Sequence, residues 1–241
     1  MKRSVAAPLL FFITALFLTV PSPAAQQKRV LFREDFDNLD NWKDFFFPKI
    51  QRHSTYTIER HDGSHVLRAE SKASASAIVY NRSFNVYEYP RGRWKWKVAN
   101  LYRRGDARTR EGDDYPIRIY IMFEYDPARA GILERMQHGL ARTLYGEYPP
   151  HSSLSYAWAS KREPSFIMTS PYTGRAKMVL LEQGPAKVGT WQEEAVNFLD
   201  DYRRAFGADP PPEARIAIMN DSDNTGEASV SWLEYLEVFS D

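Results

Sequence analysis

Hydrophobic and polar residues alternate with a period of two over many short stretches of the chain. In residues 93–98, two tryptophans, including Trp96, and a valine fall on one face, and three basic residues fall on the other. In residues 117–123, three isoleucines and a phenylalanine alternate with Arg118, Tyr120 and a methionine. This period is typical of β-strands, because successive side chains of a strand point to opposite faces of a sheet. We therefore predict two amphipathic strands whose apolar faces lie in a core.

Further strands are predicted from the same alternation, bounded by glycine, proline and aspartate. A hairpin turn at Asp62 and Gly63 joins two of them, because this dipeptide favours tight turns. Many short strands with such turns favour a mainly β protein, a β-sandwich of the jelly-roll or concanavalin-like type. The further strands are predicted at residues 55–58, 66–69, 77–80, 155–158, 177–181, 215–219 and 229–238.

Two segments break the alternation and predict helices. Apolar residues recur at four-residue spacing between positions 132 and 144, which places them in one stripe on a helix. We therefore predict a helical insertion at about residues 128–144, between two strands. A second, short helix is predicted at residues 198–206, because Gly207 and a run of prolines follow it and such residues end helices.

The N-terminus has the three-part pattern of a secretory signal. Lys2 and Arg3 precede an uncharged apolar run at residues 5–20, and small residues follow that run. An uncleaved membrane helix is the alternative interpretation, but the run is shorter than the ~20 residues that a membrane span requires. We expect residues 1–25 to be a cleaved leader and residues 26–241 to form one β-sandwich domain with no membrane span. The protein is then periplasmic or secreted.

Composition excludes several classes of function. The chain has no cysteine, which rules out a disulfide scaffold, a thiolate nucleophile and cysteine zinc sites. It has 32 basic and 31 acidic residues, so it lacks the positive field that general nucleic-acid binding needs. No phosphate-binding loop or dinucleotide glycine pattern occurs, and we predict no organic cofactor.

Several separate segments together resemble domain-of-unknown-function family 3047, a family of exported bacterial proteins. The family has no established activity, so the resemblance implies export and transfers no catalytic residues. The segments that carry it are residues 34–36, 94–98, 112–115, 118–120, 154–159, 170–172, 201–207 and 218–226.

A looser similarity is to concanavalin-type sandwiches. Residues 31–36, followed by Trp42, look like the opening strand of such folds, and residues 89–94 look like the strand that enters their binding face. Glucanases of this type carry a run of catalytic acids, which residues 118–124 lack, and the motifs of jelly-roll alginate lyases are also absent. The similarity therefore implies a fold and no chemistry.

The acidic loop at residues 221–226 is a candidate calcium site. Asp221, Asp223 and Asn224 supply oxygen atoms ahead of Gly226, and hard cations prefer such ligands. The alternative is a hairpin turn in which the Asp and Asn side chains bond their own backbone.

A second group of residues predicts a ligand-binding surface on the polar face of the strand at residues 117–123. An aromatic ring packs on the C–H face of a sugar, and arginine donates to hydroxyl or carboxylate groups. The alternatives are a solvated turn, a buried ion pair of Arg118 with a carboxylate such as Asp114, and core positions for the large aromatic residues. The predicted surface consists of Asp113, Asp114, Arg118, Tyr120, Tyr156 and Trp158.

These patterns favour a non-catalytic module that binds a glycan or envelope polysaccharide, with calcium in a structural role. One alternative is a polysaccharide hydrolase or lyase that uses the carboxylates with Tyr120 and Arg118. Another is a protein-interaction module that uses the predicted helix near residues 132–144. Carboxylates that meet Arg118 and Tyr120 in a deep cleft would favour an enzyme, and a shallow aromatic platform would favour binding.

Overall fold

A computed structural model describes residues 28–128, 131 and 149–240. The predicted leader and all but two residues of the predicted helical insertion lie outside these ranges. The elements are β1 (Val30–Glu34), β2 (Trp42–Phe45), β3 (Thr55–His61), β4 (Ser64–Lys72), β5 (Ala75–Tyr80), β6 (Phe84–Asn85), β7 (Arg91–Val98), β8 (Arg118–Phe123), β9 (Ser152–Ala159), β10 (Ile167–Thr169), β11 (Ala176–Gln183), β12 (Gln192–Asn197), α1 (Phe198–Phe206), β13 (Glu213–Asp221) and β14 (Ala228–Phe239).

The strands form two sheets that pack face to face. The six-stranded sheet has the order β12-β7-β14-β4-β3, with β1 beside β14. The eight-stranded sheet has the order β10-β11-β9-β8-β13-β5-β2, with β6 beside β13. Among the described strands, all neighbours pair antiparallel except β9 and β11, which are parallel. The predicted mainly β sandwich is confirmed.

The core between the sheets is rich in aromatic rings. Trp94 and Trp96 point inward from β7, as the alternation of residues 93–98 predicts, and both are almost fully buried. The ring of Trp94 lies 5.3 Å from that of Tyr156, and the ring of Trp96 lies 6.2 Å from that of Trp158. These pairs join β7 of one sheet to β9 of the other, so they hold the two sheets together.

Two local predictions are confirmed by backbone geometry. Asp62 and Gly63 have φ values of 51° and 89° between β3 and β4, which is the backbone that a tight hairpin requires. Helix α1 begins after Asn197, whose side chain accepts the N–H groups of the first turn. It ends at Gly207, which has a left-handed φ of 68°. In the described ranges, no helix has the length and apolar character needed to cross a bilayer.

Glu194 on β12 is an acidic residue at the edge of this core. The Nε1 of Trp96 donates to its carboxylate over 3.3 Å, and Lys187 pairs with the nearby Glu182 of β11 over 2.5 Å. Burial, followed by the charge of Glu182, raises the pKa of Glu194 from 4.5 to about 7. The folded state therefore holds a proton that the unfolded chain releases between these two pH values.

We expect the contribution of Glu194 to stability to be complete below pH 4.5 and to be lost as pH rises to about 7. Urea unfolding at about pH 5 and at about pH 8 measures the difference, which solvent screening reduces to on the order of 1 kcal/mol. Glu194→Gln should lose less stability over this range than the wild type. Glu193→Gln, an exposed neighbour on the opposite face, is the control. Identical pH profiles for Glu194→Gln and the wild type would contradict the assignment.

Candidate functional site

The outer face of the eight-stranded sheet carries the polar side of β8. Because Ile119 and Ile121 point into the core, Arg118 and Tyr120 point to the outer face, as predicted. Strand β13 lies beside β8, and Met219 is opposite Arg118 in the register. The end of β13, with Asp221, therefore reaches the start of β8.

Arg118 is buried on this face at the centre of an ion-pair group. Its Nη2 donates to the carboxylate of Asp221, and its Nη1 lies 3.7 Å from Oδ2 of Asp113. The guanidinium also lies over the rings of Tyr115 and Tyr120, at 4.6 Å and 5.4 Å from their centroids. Burial raises the pKa of Asp221 and of Asp113, and the positive charge of Arg118 opposes that rise. The buried ion pair considered from sequence is present, with Asp221 and Asp113 as partners in place of Asp114.

Asp114 fixes the acidic loop to the start of β8. Its carboxylate accepts the backbone N–H groups of Asn224 and Thr225, over 3.3 Å and 2.5 Å. The backbone N–H of Tyr115 donates in turn to Oδ1 of Asp221 over 3.3 Å. These bonds hold the two acidic segments together although about a hundred residues separate them in sequence.

Three carboxylates approach one another where these segments meet. One oxygen each from Asp114, Asp221 and Asp223 lies within 4.8 Å of the others. The amide of Asn224 donates to the hydroxyl of Tyr172 over 2.8 Å. Asp114 thus joins the predicted residues Asp221 and Asp223 in this group, and Asn224 follows Asp223 directly in the same loop. The donor set suits a hard cation, while Arg118 already contributes one positive charge beside Asp221.

A cleft of about 500 Å³ opens beside the ion-pair group. One wall is the segment between β2 and β3, where the N–H of Ile50 bonds to the carbonyl of Phe47 over 2.9 Å. The opposite wall is the segment before β11, which carries Ser170 and Tyr172. The floor is formed by side chains from β8, β9, β11 and β13, namely Tyr120, Ser155, Met178 and Met219.

The cleft borders an excess of negative charge. Asp113, Asp114, Asp221 and Asp223 lie around a single guanidinium, that of Arg118. Oδ1 of Asp113 and Nε of Arg118 are both buried and have no hydrogen-bond partner among the described residues. Burial raises the pKa of Asp223 as well. Buried polar atoms of this kind are normally paired, so the arrangement can accept both a donor and an acceptor from a ligand.

Residues 40–237 match the family described as "Protein of unknown function (DUF3047)". The chain belongs to this family. The match spans the whole candidate site and confirms the resemblance found in the sequence. No curated protein sequence matches the chain.

Solved structures with related folds are distant from this DUF3047 member. A family 11 carbohydrate-binding module from Clostridium thermocellum is 10% identical, with 89% of this chain and 96% of that chain covered and a TM-score of 0.44. Endoglucanase 3 from Trichoderma harzianum is 9% identical, with 90% and 99% covered and a TM-score of 0.39. Winged bean acidic lectin is 9% identical, with 89% and 100% covered and a TM-score of 0.38. At these low identities and TM-scores, neither the ligand nor the activity of these proteins can be assigned to the DUF3047 chain.

Two residues of the predicted ligand surface do not lie on the cleft of this DUF3047 protein. Tyr156 and Trp158 are fully buried between the sheets, because Tyr156 lies opposite Ile119 in the register and shares its inward direction. The other four predicted residues, Asp113, Asp114, Arg118 and Tyr120, do lie together at the cleft or directly behind it.

Sequence reasoning missed Tyr172 and the wall at residues 47–50. Tyr172 is 50% exposed, and its ring lies 5.2 Å from the guanidinium of Arg110. Residues 170–172 belong to the segments that resemble the DUF3047 family, which was the available signal. Their position depends on β9 and β11 being parallel neighbours, and no local pattern in the sequence specifies that pairing.

Proposed function

We propose that this protein is an exported, non-catalytic module that binds a glycan in the cleft on the outer face of the eight-stranded sheet. The observation that carries this proposal is the convergence of two tyrosine rings, Tyr120 and Tyr172, with carboxylates in one open cleft. The N-terminal pattern at residues 1–25 supports export to the periplasm or beyond. An envelope polysaccharide is then the ligand that the protein would meet.

The chemistry of the lining residues suits a sugar. A tyrosine ring offers an apolar face to the C–H groups of a sugar ring, and carboxylates accept strong hydrogen bonds from its hydroxyls. Tyr172 is fixed in place, because its hydroxyl accepts from Asn224 and donates to the carbonyl of Arg110 over 3.3 Å. A ring held in this way loses little side-chain entropy when a ligand packs on it.

Tyr120→Ala and Tyr172→Ala should each weaken glycan binding by about threefold to tenfold, the usual size of one aromatic contact. A glycan array identifies the ligand, and titration calorimetry measures the loss. Tyr87→Ala is the matched control, because Tyr87 is an exposed tyrosine, 44% accessible, that does not line the cleft. Wild-type affinity in both cleft variants would remove this face from the binding site.

A hydrolase or lyase is the second candidate, and the observation that favours it is the buried position of Asp113 beside the cleft. A carboxyl group whose pKa is raised by burial, beside a cleft, has the property of a general acid. Product analysis of each glycan that binds separates the two candidates. Release of shorter chains by the wild type, lost in Asp113→Asn, would establish an enzyme.

We also propose that the three-carboxylate group formed by Asp114, Asp221 and Asp223 holds a calcium ion that stabilises the site. Calcium at about a hundredfold excess over its Kd should raise Tm by about 5–10 °C, because an ion bound only to the folded state stabilises it by mass action. EDTA should reverse the rise. Asp223→Asn should abolish the response, whereas Asp62→Asn in the distant hairpin should keep it. Calorimetry without a heat of calcium binding at millimolar concentration would rule out the site.

A further inference from the structure

The cleft borders more buried acid than its one buried cation balances. Asp113 and Asp221 both lie against Arg118, and Asp223 lines the same cleft half-buried. The other charged side chain in the lining, Lys49, is exposed at the rim. Buried carboxylates are stable when a cation or hydrogen-bond donors reach them, so the charge of this cleft favours a ligand that brings positive charge.

Asp113 is the residue through which such a ligand would be recognised. Its side chain is 8% exposed, it lines the cleft, and its Oδ1 has no partner among the described residues. The hydroxyl of the adjacent Tyr115 donates to the sulfur of Met178 over 3.0 Å. Asp113 is not one of the three carboxylates of the calcium group, so an ion there leaves its free oxygen unpaired.

A hydrogen-bond donor on the ligand would satisfy Asp113 but not Arg118. Nε of Arg118, on the side chain that pairs with Asp113, is buried without an acceptor among the described residues, so the same ligand must also present an oxygen. An arginine already lies near each cleft tyrosine ring, Arg118 at Tyr120 and Arg110 at Tyr172, so it is the excess of buried carboxylates that favours an ammonium group over a neutral donor. A molecule with an amine next to a hydroxyl meets all three requirements.

We propose that the ligand of this cleft is an amino sugar, with its protonated amine on Asp113 and a neighbouring hydroxyl oxygen on Nε of Arg118. This inference rests on the proposed glycan binding and specifies its substrate class. Recognition of the amine by Asp113 would make the protein selective for polysaccharides that carry free amines over those whose amines are acetylated or absent.

The test is titration calorimetry of the purified protein with three tetrasaccharides that share one linkage, composed of glucosamine, N-acetylglucosamine or glucose. At about pH 6, where a free amine is protonated, the glucosamine tetramer should bind at least about tenfold more tightly than the other two. The tighter binding of the glucosamine tetramer should persist when calcium is added and when EDTA is added. Asp113→Asn should reduce this advantage of the glucosamine tetramer to less than about threefold.

Asp62→Asn is the matched control, because it removes the same charge from an exposed hairpin on the other sheet. Should Asp113→Asn fail to fold by circular dichroism, Asp223→Asn removes a cleft charge at a less buried position and should also lower the advantage. Equal affinity for all three tetrasaccharides would overturn the amino-sugar inference and leave glycan binding standing. An advantage that Asp113→Asn and Asp223→Asn leave intact, or that Asp62→Asn lowers equally, would also overturn it. If none of the three tetrasaccharides binds, both the amino-sugar inference and the proposed glycan binding are overturned.

Discussion

Replacing Arg118 with alanine is expected to lower the free energy of unfolding by about 3–5 kcal/mol, because the change leaves buried carboxylates without their cation. Arg118 is 5% exposed and pairs with Asp221 and Asp113. Urea unfolding at neutral pH measures the loss. Arg215→Ala is the matched control, since Arg215 is an exposed arginine of the neighbouring strand that pairs with Glu124 at the surface. It should cost less than about 1 kcal/mol.

The pH dependence of the Arg118→Ala variant provides a second check. Without the guanidinium, the pKa values of Asp221 and Asp113 rise further, since the positive charge of Arg118 held both of them down. A raised pKa in the folded state means that stability falls as pH rises, so the variant should be least stable at neutral pH and recover in mild acid. A variant equally destabilised at about pH 4 and about pH 7 would show that packing, and not charge, is what Arg118 provides.

Trp96→Ala should cost about 3–5 kcal/mol, the usual cost of removing a buried large aromatic side chain. Trp96 has no exposed surface, and its ring packs 5.7 Å from Trp94 and 6.2 Å from Trp158. A chemical denaturation curve measures the change. Trp191→Ala, at a partly exposed tryptophan on the outer side of the same sheet, should cost much less. An unchanged midpoint in Trp96→Ala would mean that this face of β7 does not lie in the core.

The strands and the short helix could be predicted because their signals are local. Alternation along residues 93–98 is a property of one strand, and Gly207 with the prolines after it marks the end of α1 without reference to other elements. The pairing of Arg118 with Asp221 has no such signal. It requires β8 and β13 to be neighbours in the sheet, and strand order is set by contacts distant in sequence.

The misplacement of Tyr156 and Trp158 has a simple physical reason. Along β9, large residues alternate with small ones, and the small residues Ser155 and Ala157 lie on the outer face beside Tyr120 and Arg118. Large aromatic rings fill the space between two sheets, whereas a cleft floor needs small side chains to stay open. The contrast in size along β9 was visible in the sequence and indicated the core for both aromatics.

The two sides of the cleft differ in how freely they can evolve. The ion-pair group beside the cleft is tied through Asp114 and Tyr115 to the loop that leads into β14, so changes there disturb both sheets. The wall between β2 and β3 is closed by the bond of Ile50 to Phe47, and Phe47 and Ile50 pack on the sheet beneath it, whereas Pro48 and Lys49 are exposed. Libraries that randomise Pro48 and Lys49 on an unaltered ion-pair group should therefore yield folded proteins whose clefts differ in shape and charge.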